Sequence, residues 1–114
     1  MKLLNREQVL NSNDLKEKEI ECPEWGGSVK IKALSLTKRN GVMKGAEDNN
    51  GKIDFEKLQV LTFIECVIEP KFTIADYVAL SNKSHTAMDR VVQAVYELSG
   101  ISVSKEGKEE AKKN

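Results

Sequence analysis

The feature that most constrains this chain is a period-two pattern on both sides of one turn. Lys16-Glu17-Lys18-Glu19-Ile20-Glu21-Cys22 alternates charged residues with Ile20 and Cys22, and Ser28-Val29-Lys30-Ile31-Lys32-Ala33-Leu34 alternates more cleanly. Val29, Ile31 and Ala33 point to one face, and Ser28, Lys30 and Lys32 to the other. Between the two segments stands Pro23-Glu24-Trp25-Gly26-Gly27, a turn signal. The pattern predicts a β-hairpin with one buried and one charged face, in which Glu19 and Glu21 face Lys30 and Lys32 across the strands. Two strands alone are marginal in water, so the hairpin must lie on helices.

The rest of the chain supplies them. Asn5 and Gln8 form a capping-box pair, with Leu4 and Val9 in the hydrophobic-staple positions, which predicts a short helix over residues 6–11. Residues 35–43 read as a weaker helix, capped by Ser35 or Thr37 and made frail by Gly41 and Gly45. A polar loop follows over residues 46–52. Asp54 to Ile68 is the most apolar stretch. Leu58, Leu61, Ile64 and Ile68 share one helical stripe, and Val60, Phe63 and Val67 an adjacent one, so a central core helix is expected there, ended by Pro70. Thr73 and Asp76 form a second capping pair with Phe72 and Tyr77 as staple, starting a helix that runs to about Leu80. A last helix is expected from His85 to Leu98, with Met88, Val91, Val92, Val95 and Leu98 as its stripe and Gly100 as its stop. The fold class that follows is α+β, mainly helical: an N-terminal hairpin packed on a bundle of about four helices. Residues 1–103 form a single domain, and 104–114 a charged, solvated tail without a large apolar residue.

Charge narrows the function. Lys+Arg and Asp+Glu are both 18, so the formal net charge is zero and there is no chain-wide basic field to hold nucleic acid or an anionic membrane. Aromatics make up only 5% of the chain, which argues against a base-stacking platform. No apolar run approaches the roughly 18–20 residues that span a bilayer, and the first residues lack a signal peptide's apolar stretch. A cytoplasmic protein is expected. Cys22 and Cys66 then read as reduced, buried, small hydrophobes.

Chemical motifs are weak. Asp48-Asn49-Asn50-Gly51-Lys52-Ile53-Asp54 is like the back of a calcium loop. With Gly51 at the loop glycine, Asp48, Asn50 and Asp54 fall on ligand positions, but Ala46 occupies the first and Lys57 replaces the final bidentate glutamate. An ordinary polar loop with Asp54 as a helix cap is the reading. His85 cannot build a metal site alone, and a Cys–His nucleophile would need Cys22 or Cys66 beside it; a thiol buried in apolar surroundings is inert. The glycines match neither a dinucleotide nor a P-loop spacing. Lys30, Lys32, Lys38 and Arg39 form a local basic cluster that reads as a solvated face. No catalytic residue, metal or cofactor is expected, and the function expected of the domain is binding. The candidate partner-binding residues are Trp25 at the hairpin tip, Met43, Phe72 and Tyr77, because tryptophan is enriched in interface hot spots and methionine adapts to varied surfaces.

The ordered set of these segments resembles the tail assembly chaperones of long-tailed bacteriophages and prophages. The resemblance runs through Leu4-Asn5-Arg6-Glu7, the turn Pro23-Glu24-Trp25-Gly26-Gly27, the strand Val29 to Leu34 with Ser35-Leu36-Thr37, Glu69 to Asp76, and Met88-Asp89-Arg90-Val91. It implies a non-enzymatic assembly factor of the bacterial cytoplasm, outside the mature virion. Such a factor binds the tape measure protein, keeps it soluble and helps recruit the tail tube protein. Self-association as a homo-oligomer is a further expectation. Two other readings of the residues are a calcium-binding regulator and a nucleic-acid-binding adaptor built on the basic cluster.

Overall fold

In a computed structural model of the chain, the period-two pattern forms the expected hairpin from β1 (Glu17–Cys22) and β2 (Gly27–Lys32). The structure describes residues 1–101, and the charged tail expected over 104–114 lies outside them. Ile20, Cys22, Val29 and Ile31 are buried, and the alternate residues are exposed or half-buried. A single 3-10 turn, Pro23–Trp25, joins the strands through Gly26, whose φ of 75° needs the freedom of glycine. This turn leaves Cys22 opposite Gly27 and so sets the whole register. Glu19 faces Lys30 as expected, but Lys32 faces Glu17 and Glu21 faces Ser28. The ion pair that forms is diagonal, Lys30 Nζ to Glu17 Oε1 at 3.3 Å.

The sheet has a third strand that periodicity does not predict. The central helix α3 (Phe55–Cys66) stops two residues before the expected Ile68, and Val67–Glu69 becomes β3, antiparallel to β2, in the order β1-β2-β3. Pro70 pushes Glu69 out of helical geometry, and Val67 and Ile68 are β-branched. The far edge of β2 then offers main-chain partners that a fraying helix end would lack.

The helix caps follow the sequence. Asn5 Oδ1 accepts from Gln8 N at 2.8 Å and Gln8 Oε1 from Asn5 N at 2.9 Å, closing the box at the start of α1 (Arg6–Leu10). Ser35 Oγ caps α2 (Leu36–Gly45) at Lys38 N, and Asp54 Oδ1 caps α3 at Lys57 N. The box of Thr73 and Asp76 opens a 3-10 turn, Ile74–Asp76, that leads into the short α4 (Tyr77–Ser81). Ser84 caps α5 (His85–Leu98). Gly100 (φ 73°) ends α5: its N–H donates to Glu97 O and the Ile101 N–H to Tyr96 O, the paired bonds of a Schellman motif.

The domain is therefore α+β and mainly helical, with five α-helices and one three-stranded antiparallel sheet among the described residues. Its core joins Ile20, Val29 and Ile31 of the sheet to Val60, Phe63 and Ile64 of α3 and to Met88, Val91, Val92 and Val95 of α5. The Leu34 N–H donates to Ser99 Oγ at 2.8 Å and ties the end of β2 to the end of α5. Two elements contribute little to this core: α2 buries only Val42, and α1 buries nothing.

Candidate functional site

Hairpin, α3 and α4 meet at an apolar cleft of about 160 Å³ lined by Trp25, Phe63, Phe72, Leu80 and Lys83. Phe63 is fully buried and forms its floor. Trp25 stands edge-on to it, ring centroids 5.9 Å apart at 88°, and Phe72 packs from the other side at 5.4 Å and 50°. Aromatic pairs at these separations add about 0.5–1.5 kcal/mol beyond area burial, so both half-buried rings are held in place while part of each stays open to solvent. Ile74 and Val78 are 66% and 72% exposed, but neither lines this cleft, and Ile74 lines the larger concavity between α2 and α3.

The hairpin tip that carries Trp25 is clasped to α5. Arg90 Nη1 and Nη2 donate to Glu24 Oε1 and Oε2 at 2.6 and 2.8 Å, a bidentate pair that fixes direction as well as distance. The hydrogen bond from Arg90 holds the Glu24 carboxyl well below the usual carboxylate range, to about 2. Arg90 is held more firmly protonated in return.

Of the four residues expected to bind a partner, Trp25 and Phe72 come together in the cleft. Tyr77 packs against the core from α4, and burial, then the nearby Glu56 and Asp54, push its hydroxyl pKa up. Met43 is half-buried on α2 and does not line the cleft. Phe63, Leu80 and Lys83 complete the cleft. Phe63 carries only the signal of a core stripe, which does not tell a cleft wall from a core residue, and Leu80 and Lys83 carry no site signal in the sequence.

A second, larger concavity of about 620 Å³ runs between α2 and α3, over Gly41, Val42, Gly45, Leu61 and Ile64 to Phe72. Leu61 is half-buried, so the wide apolar surface of α3 serves two purposes: Val60 and Phe63 face the core, and Leu61 faces the groove.

The remaining polar motifs have structural partners. Asp48 Oδ1 accepts from Asn50 N at 2.8 Å and Lys52 N at 3.0 Å, and Asp54 is the α3 cap, so both carboxylates of the calcium-like string serve the local backbone. Among the described residues no three His, Cys, Asp or Glu side chains cluster as metal ligands. Lys30 and Lys38 of the basic cluster pair with Glu17 and Glu65. Cys22 and Cys66 are free and buried. Burial pushes the Cys66 thiol up to about 12 and raises Cys22 as well, so neither is a ready thiolate. No helix among the described residues is long and apolar enough to cross a membrane.

Neither a known protein family nor any curated protein or solved structure matches the chain.

Proposed function

We propose that this domain is a non-catalytic tail assembly chaperone of a long-tailed bacteriophage or prophage. It acts in the bacterial cytoplasm, binding the tape measure protein during tail morphogenesis and helping to recruit tail tube subunits. Two things support the reading. One is the ordered set of sequence segments resembling that family. The other, which carries the structural argument, is the aromatic cleft: half-buried Trp25 and Phe72 frame a recess floored by Phe63. Such a surface suits an apolar client helix, with an anchor side chain entering the recess. Lys83 at the rim favours a client with an acidic residue beside its apolar anchor.

The test is co-expression with a tape measure protein from the genome that carries this chain. A soluble complex is expected, lost on Trp25→Ala, which removes a cleft wall, and weakened by Lys83→Glu, a substitution at an exposed rim position that spares the core. A tape measure protein equally insoluble with and without the chain would remove the proposal.

A further inference from the structure

Residues 1–14 carry a folded element, α1, that no other described element covers. α1 is closed at its start by a complete capping box, yet none of its residues is buried. Leu3, Leu4, Val9 and Leu10 are 96%, 62%, 54% and 64% exposed. Helices shorter than about 12–15 residues are marginal in water on their own. A five-residue helix with four exposed aliphatic side chains on and beside it needs a surface to cover it.

The groove between α2 and α3 is likewise left open by the described residues; Val42, Leu61, Ile64 and Ile74 line it beside Lys38 and Glu65. At about 620 Å³ it falls in the usual range for a binding recess, about 300–1,000 Å³. One wall is unusually low because α2 has glycine at 41 and 45, one helical turn apart. Gly41 has ordinary helical geometry, and a Cβ there would meet nothing within 4 Å. The fold does not need this glycine, which weakens the helix; it leaves a track along which another backbone can approach closely.

The two surfaces are adjacent in the chain. Leu15, where the arm joins the domain, lines a small cleft with Lys38 and Glu65, and those two residues also line the groove. In the single chain none of residues 1–14 lines the groove, so the occupant that fits is the arm of another copy. Charge agrees at the rim: Lys71 has no carboxylate partner among the described residues, and Glu7 has only its neighbour Arg6.

We propose that residues 1–14 of one copy dock, through Leu3, Leu4, Val9 and Leu10, into the α2–α3 groove of a second copy. The contact is head-to-tail, since each chain offers one arm and one groove. It does not depend on the chaperone reading.

The test uses three forms of the full chain: the wild type, the double variant Leu4→Asp/Leu10→Asp, and Gly41→Trp, which fills the groove. Neither variant touches the core, and circular dichroism checks that each is folded. In sedimentation velocity the wild type should associate with rising concentration, and each variant should be weakened about tenfold or more, since each removes the burial of at least one leucine-sized group. An equimolar mixture of the two variants should form a one-to-one dimer, having one intact arm and one intact groove. A wild type that stays monomeric, variants that associate like the wild type, or a mixture that stays monomeric overturns the proposal. So does association lost only on removing residues 102–114, or an arm protected from hydrogen exchange in a monomer. Failure to bind the tape measure protein with self-association intact would remove the proposed function and leave this interface standing.

Discussion

Gly41→Ala should make the isolated domain more stable. Glycine inside a helix costs about 0.5–1 kcal/mol relative to alanine, because it loses more backbone freedom on folding. At Gly41 no steric penalty offsets that gain, since a Cβ meets nothing within 4 Å and φ is not positive. The full ~0.5–1 kcal/mol should therefore appear, and for a domain of about this size it corresponds to a rise of roughly 2–8 °C in Tm. Gly45, one turn later, is the internal control: there a Cβ would stand 3.0 Å from Leu61 Cδ1, so Leu61 must shift. Gly45→Ala should gain clearly less than Gly41→Ala. The assay is thermal unfolding by circular dichroism at micromolar chain, where self-association adds least. A Gly41→Ala variant less stable than the wild type would refute the reasoning, because it would mean the fold itself uses the glycine.

Phe63→Ala removes the floor of the cleft and both aromatic contacts, and should cost about 3–5 kcal/mol in chemical denaturation; a loss under about 1 kcal/mol would contradict the packing described. The Glu24–Arg90 clasp should give an acid-dependent contribution to stability. The Glu24 carboxyl lies at about 2 in the folded chain against an ordinary value of 4.5, so its contribution is full above about pH 4.5 and fades as pH falls towards 2. The gap in midpoint between wild type and Glu24→Gln should be wide at pH 7 and narrow by pH 2.5, and an equal gap at both would show that the clasp is not formed. Cys22 and Cys66 should resist a thiol reagent at pH 8 in the native chain and react together on unfolding; rapid native labelling of either would contradict its burial.

Much of this fold is legible from local chemistry. The caps at Asn5, Ser35, Asp54 and Ser84 satisfy donors within three residues of themselves, as Asp76 satisfies the Thr73 N–H, so the sequence alone carries them. The hairpin is equally local, because a period of two and a turn string lie side by side. The third strand is not, since Val67–Glu69 continues the apolar pattern of a helix and becomes a strand only because β2 presents an edge to it. The cleft is half legible. Trp25 and Phe72 stand out as isolated aromatics, whereas Phe63 looks like any core residue until the hairpin folds over it. The groove is hidden for a different reason. Gly41 and Gly45 read as weakness in α2, and only the packing of α2 on α3 shows the recess they leave.

The central claim, that the aromatic cleft receives an apolar client helix, has a built-in reporter: Trp25 is the only tryptophan in the chain and stands at the cleft wall. Titrating the purified domain with tryptophan-free segments of the tape measure protein and following Trp25 emission tests the claim directly. A saturable blue shift is expected as the indole loses water, weakened in Lys83→Glu at the cleft rim. Emission unchanged across every segment of the tape measure protein would contradict it.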